Sequence, residues 1–378
     1  MAPKKVIGKI HLWLGLTAGL VVFLLGVTGC ILAFETEIRN LTESYREVTP
    51  QNKNFLPPSE LKVIAEQQLV SKKALGIEYP GKKKAALASY WDADKYEIVF
   101  IDPYDGGIQK HKNMKEDFFR FILDGHYYLW LPEETGRTIA ASATLIFIGM
   151  MITGLILWWP KNKAAAKQRF SIKWTAKWRR KNYDLHNVLG FYMTWVAIFI
   201  ALTGLVWGFD WFAKSAYWVT SGGQQMEEHE HPLSDTTAVA IYPHMADHLW
   251  QEHLPSVKSN ESIGVYFASS NTDPIEIVVN HQPGSYYDSD FYHYDQNTAK
   301  ELQAKGSWAG AFDKASTADK IVRMNYDMHT GAVLGLPGKI AAFFASLVAA
   351  SLPITGFMIW WGRRKKNKTE KLLATTVE

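Results

Sequence analysis

A chain of 378 residues has room for two or three domains, and a formal charge of +4 spread over so many side chains says little until its distribution is read. Mean hydropathy is −0.13 although several stretches are strongly apolar, a combination that implies a membrane protein with large polar insertions. The single cysteine, Cys30, excludes an intramolecular disulfide framework, and there is no CxxCH attachment motif.

Residues 1–34 are expected to form transmembrane helix 1: Lys4, Lys5 and Lys9 precede an apolar run from Ile10 to Phe34. Val27-Thr28-Gly29-Cys30 resembles a lipoprotein cleavage box. The Thr-Gly pair recurs deep in the chain at Thr203-Gly204, where no signal can lie, so a retained helix is expected. Residues 35–137 are polar and mixed, and read as a small α+β insertion. Leu61, Ile64, Ala65 and Leu69 have helical spacing over 58–69, with Ser59 as the expected N-cap. Residues 86–90 and 96–101 read as strands, 102–107 as a turn, and 108–111 as the returning strand of a hairpin.

Residues 138–160 form the second span, closing with Thr153-Gly154 and Trp158-Trp159-Pro160. Residues 161–184 are a basic loop holding Lys161, Lys163, Lys167, Arg169, Lys173, Lys177, Arg179, Arg180 and Lys181, with no acid until Asp184. The excess of positive charge on cytoplasmic loops accounts for such a run between two spans, and nucleic acid is rejected as a partner. The third span is 185–210. A second insertion, 211–337, offers strands at 263–268 and 275–280 and a strand-then-turn unit at 291–298. The fourth span is 338–362; Arg363, Arg364, Lys365, Lys366 and Lys368 halt it, leaving a tail at 363–378.

Basic residues flank the N-terminus, the middle loop and the C-terminus, so all three are expected in the cytoplasm and both insertions outside it. Tryptophans gather at segment ends, as in interfacial belts. The fold class expected is a four-helix transmembrane bundle made by internal duplication, with two periplasmic α+β insertions. Two copies running in the same sense should be related by an axis along the membrane normal.

The duplication extends to chemistry. His11 and Gly15 in the first span match His186 and Gly190 in the third, and Thr28-Gly29 and Thr203-Gly204 follow at one interval. Gly136-Arg137 and Gly338-Lys339 likewise precede Thr153-Gly154 and Thr355-Gly356 equally. Each copy has a second histidine just before its returning helix, His126 and His329. A lone interfacial histidine is ordinarily a local hydrogen-bonding group. Four of them, paired by duplication at two levels of a bundle, are the common way to hold haem iron. Gly15 and Gly190 would leave room beside a porphyrin face. Zinc fits less well, because two imidazoles per level underfill a tetrahedron.

With these residues in place the chain resembles the PepSY-associated transmembrane family of iron-regulated inner-membrane proteins. The resemblance rests on the His11/Gly15 and His186/Gly190 helices and on the Asp102-Pro103…Gly106 turn. Its most specific block runs from His329-Thr330-Gly331 through Leu334-Gly335-Leu336-Pro337-Gly338 to Thr355-Gly356 and Trp360-Trp361. His126 departs from it, being followed by Tyr127-Tyr128 rather than Thr-Gly. The insertions resemble PepSY modules only loosely.

The family includes di-haem ferric-siderophore reductases. The resemblance therefore implies two b-type haems on His11, His186, His126 and His329, electron transfer across the inner membrane, and a ferric siderophore or other iron chelate as partner. No dinucleotide fingerprint is present, so electrons are expected from a quinol or a separate flavoprotein. Tyr127, Tyr128, Trp130, Tyr286, Tyr287, Tyr292 and Tyr294 offer stacking area for a chelate. An alternative remains, in which PepSY modules regulate exported peptidases and the helices only anchor them. His229 and His231 sit in an acidic stretch that could scavenge metal, and His244, His248 and His253 have spacing that fits a divalent ion without a completing carboxylate.

Overall fold

The structure is a computed structural model that describes residues 3–70, 73–160 and 162–375. Its helices are α1 (Pro3–Leu32), α2 (Glu35–Thr42), α3 (Pro58–Glu66), α4 (Phe118–Tyr128), α5 (Glu133–Trp158), α6 (Lys163–Arg169), α7 (Trp178–Gly208), α8 (Asp210–Thr220), α9 (Met245–His253), α10 (Thr317–Thr330) and α11 (Gly335–Thr375). Its strands are β1 (Gly76–Tyr79), β2 (Ala86–Trp91), β3 (Tyr96–Ile101), β4 (Ile108–Asn113), β5 (Ser262–Tyr266), β6 (Ile275–Asn280), β7 (Ser289–Tyr294) and β8 (Glu301–Leu302). The chain divides into two compact units, one carrying the long helices and the other made of Glu35–Phe121 and Lys214–Asp327.

Four helices are long and apolar enough to cross a membrane: α1, α5, α7 and the stretch Ala332–Arg364, most of which is α11. At 1.5 Å per residue each exceeds the ~30 Å hydrocarbon thickness. The protein is therefore a multi-pass membrane protein with a helical bundle. The helices pack as a ring in which α1 touches α5 and α11, and α7 touches the same two. The bundle core is built from small and medium residues, Ala18, Val22, Ala143, Phe147, Met151, Ala197, Ala201 and Ala345. Small side chains let apolar helices approach closely where lipid offers no hydrophobic drive to associate. At Gly26 an added Cβ would lie 2.8 Å from the backbone nitrogen of Ala350 and the carbonyl of Ser346, so α1 and α11 meet backbone to backbone there. Large apolar side chains such as Trp13, Trp195 and Phe357 point outward and are exposed. The bundle has its bulk on the outside.

The second unit is the reverse. Both insertions contribute four strands to one eight-stranded antiparallel sheet of order β4-β3-β2-β1-β5-β6-β7-β8, joined where β1 pairs with β5. Alternation along β6 buries Ile275, Ile277 and Val279, and these join Ile77, Val99, Ile101 and Val265 on one face. Leu61 and Ala65 of α3 with Leu249 and Trp250 of α9 cover that face. The sheet edges are blunted: β4 carries Lys110 and Lys112, and β8 is only two residues long.

The expected strands over 86–90, 96–101, 108–111 and 275–280 are present with ends shifted by two residues or fewer. Ser59 is not an N-cap. The helix begins at Pro58 after Pro57, and Ser59 instead bonds Asp247 through its hydroxyl and through its backbone N–H at 2.8 Å, tying α3 to α9. Proline at the first position needs no cap for a donor it lacks.

Candidate functional site

The four paired histidines all lie in the helical unit, and each repeats one arrangement. His11 Nδ1 lies 2.9 Å from Thr153 Oγ1, and His126 Nδ1 lies 2.9 Å from Thr28 Oγ1. In the other copy His186 Nδ1 lies 2.9 Å from Thr355 Oγ1 and His329 Nδ1 3.1 Å from Thr203 Oγ1. Every histidine thus meets the threonine of a Thr-Gly pair on a long helix of its own copy, His11 and His186 from the long helices α1 and α7 and His126 and His329 from the short helices α4 and α10.

The glycine after each threonine forms the floor beneath the imidazole. A Cβ added at Gly204 or Gly356 would come within 3.1 Å and 3.2 Å of the Cε1 of His329 and His186; at Gly29 and Gly154 the distance to the Cε1 of His126 and His11 is 3.5 Å. The Thr-Gly register noted in the sequence is the signal for these contacts. Reading it along one helix did not show that it faces a histidine on the next.

Hydrogen-bond accounting fixes the tautomer. Each threonine hydroxyl donates its own proton to the carbonyl one turn back in its helix: Thr28 to Leu24, Thr153 to Gly149, Thr203 to Phe199 and Thr355 to Ser351. Its oxygen is then left to accept. His329 Nδ1 is also 3.0 Å from the carbonyl of Ile200. A carbonyl only accepts, so Nδ1 carries the proton and Nε2 keeps a free lone pair. Among the described residues no hydrogen bond reaches the Nε2 of any of the four.

The histidines then pair across copies. His126 and His329 have ring centroids 6.1 Å apart with planes at 63°. His11 and His186 occupy matching positions on α1 and α7, which are diagonal in the ring, while His126 and His329 stand on the short helices α4 and α10. Thr28 follows His11, and Thr203 follows His186, at an interval of roughly 25 Å along a helix, which separates the two levels. Trp207 stands edge-on to His329 at 5.3 Å between centroids, and Tyr127 lies 6.2 Å from His126.

Gly15 and Gly190 lie one turn beyond His11 and His186. A Cβ added to them would meet the side chains of Met150 at 3.1 Å and Leu352 at 3.4 Å. Beside the His11/His186 level, Trp158 stacks on Phe191 at 3.8 Å with Phe170 edge-on to both. Arg180 donates to the buried Asp184 at 2.8 Å, and the Lys173 amide donates to the same carboxylate. These contacts hold the basic loop against the start of α7.

Of the remaining histidines, His229 and His231 have ring centroids 4.5 Å apart. His248 stacks on Tyr242, His253 bonds the Tyr294 hydroxyl at 2.8 Å, and His244 precedes α9. His231 Nδ1 lies 3.2 Å from Nε2 of His293, a partner the sequence did not suggest. Among the described residues no group of three or more His, Cys, Asp or Glu side chains stands where it could hold an ion. Of the seven aromatics offered as a docking surface, Tyr292 and Tyr294 pack against the sheet core, while Tyr286 is exposed.

Fold and site together define a class: a membrane four-helix bundle carrying four histidines, each against the threonine of a Thr-Gly pair, with a sheet-containing α+β unit drawn from both insertions. The chain belongs to the PepSY-associated TM region family, whose pattern it matches over residues 9–363. No curated protein matches it.

Proposed function

We propose that this protein is an inner-membrane electron-transfer protein that holds two b-type haems and reduces ferric siderophores or related iron chelates on the outer side. The observation that carries the reading is the fourfold His–Thr arrangement, which leaves the Nε2 lone pairs of four imidazoles uncommitted. Neutral imidazole is the axial ligand many haem proteins use. His126 and His329, with ring centroids 6.1 Å apart, would hold one haem iron between them. His11 and His186 would serve the inner level in the same way.

Haem, when bound, supplies a one-electron carrier. The chain's own part is to orient four imidazoles, keep their Nε2 atoms unprotonated and exclude water with an apolar bundle. Two levels along the helices divide the membrane crossing between them. The reaction itself is the one-electron reduction of a chelated ferric ion to the ferrous state, the electron coming from a quinol or a separate flavoprotein. The hard oxygen donors of a siderophore hold the larger, less charged ferrous ion far more weakly, so the metal is released with the chelator intact. The charge pattern supports cytoplasmic termini and outward-facing insertions. A purely anchoring role for the helices, with regulatory insertions, gives no reason for four tautomer-locked histidines.

The test is reoxidation of the dithionite-reduced, purified protein by ferric siderophores with a ferrous trap present. We expect the reduced bands to decay as trapped ferrous iron appears, and His329→Ala to abolish both. Haems that stay reduced for many minutes under excess ferric chelate would contradict the reductase reading and favour the regulatory one.

A further inference from the structure

We infer that Thr28, Thr153, Thr203 and Thr355 are positioning residues that set the redox potentials of the two centres, and that they act in pairs drawn from opposite copies of the duplication. The inference rests on the haem reading above and extends it to the residues that bond the Nδ1 atoms of the four histidines.

Each threonine oxygen is an acceptor for an Nδ1–H because its own proton is committed to a helix carbonyl. Such an acceptor makes the imidazole a more electron-rich ligand, as outer-shell hydrogen bonds to metal-bound histidines generally do. An electron-rich ligand favours the ferric over the ferrous state, so each threonine should lower the potential of the centre its histidine serves.

His329 Nδ1 has two acceptors, Thr203 and the carbonyl of Ile200 three residues before it. Removing the hydroxyl alone therefore leaves the tautomer and the ligand in place. Valine has nearly the shape of threonine, lacks the acceptor and should change the tuning without emptying the site.

The pairing follows from the same contacts. Thr153 bonds His11 and Thr355 bonds His186, so two residues from different copies should govern one inner centre. Thr28 bonds His126 and Thr203 bonds His329, so those two should govern the outer one.

The experiment is a potentiometric titration of the purified full-length protein, followed at the visible bands and by electron paramagnetic resonance. The inner centre is identified as the one lost in His186→Ala and the outer as the one lost in His329→Ala. We expect Thr153→Val and Thr355→Val each to raise the inner midpoint and leave the outer one, Thr28→Val and Thr203→Val to do the converse, and all four proteins to keep their full haem content. The Thr→Ser variants restore the acceptor and should return the wild-type midpoints, which a packing defect would not allow. Valine variants with unmoved midpoints, or Thr153→Val and Thr355→Val moving different centres, would overturn the assignment while leaving the haem reading intact. A wild-type protein that carries no haem would overturn both.

Discussion

The two halves of the duplication have been kept to different standards in the two units. In the bundle, residues repeat: His–Thr–Gly contacts recur four times with Nδ1 to Oγ1 distances of 2.9 to 3.1 Å. Even the tight starts repeat, since an added Cβ at Gly136 or Gly338 would run into the carbonyl of Tyr128 or Gly331. In the sheet unit only the topology repeats, four strands from each insertion, and the side chains differ. Ile98 and Phe100 bury on β3, for instance, while β7 buries His293. Packing tolerates apolar exchange of similar volume. A hydrogen-bonded imidazole with one free nitrogen does not. On the proposed function the bundle would carry the chemistry, while the sheet unit is held chiefly by its core.

That contrast can be broken by experiment. The largest stability effect should come from the sheet core: Leu249 is fully buried between α9 and the sheet, and Leu249→Ala should cost about 2–5 kcal/mol. Thermal unfolding of the sheet unit, followed by near-ultraviolet circular dichroism, should shift down clearly while the visible spectrum of the bundle stays unchanged. Loss of the visible bands in step with the sheet would show that the two units do not divide the labour in this way.

A smaller effect should come from His281, whose ring lies 3.0 Å from Asp290 and 3.1 Å from Glu261. Burial pulls its pKa down, but hydrogen bonds to Asp290 and Glu261 outweigh that and raise it above 6.5. A raised histidine pKa stabilises the folded state fully below the unfolded value of about 6.5, and the gain is lost as pH rises through the folded value. The sheet unit should therefore melt slightly lower on the alkaline side, by a few degrees at most. His281→Asn should flatten that dependence, and an unchanged slope in the variant would rule the ion pairs out as its source.

Much of this was legible in the sequence, and the boundary is physical. Spans, hairpins and the four histidines announce themselves through local periodicity and through repetition within the chain. What stayed hidden depends on distant partners. Nothing local says that Thr153 faces His11, because the pairing is set by how two helices dock. β1 was missed because Gly-Ile-Glu-Tyr has weak strand preference and is held by its neighbours on both sides. Gly76 is required there by the ring of Tyr266, which would sit 2.5 Å from an added Cβ. Ser59 looked like a cap for the same reason: its real partner, Asp247, lies in the other insertion.

The central claim is that four histidines form two ligand pairs, each drawn from both copies, and counting haem tests it most directly. Haem per chain should be measured by pyridine haemochrome in the wild type, in His186→Ala, in His11→Ala/His186→Ala and in His186→Ala/His329→Ala. The account predicts two, one, one and none. The second and third values coincide because His11 and His186 serve the same centre. A wild type without haem, a single His186→Ala variant that keeps two, or a His11→Ala/His186→Ala variant that loses both would contradict it.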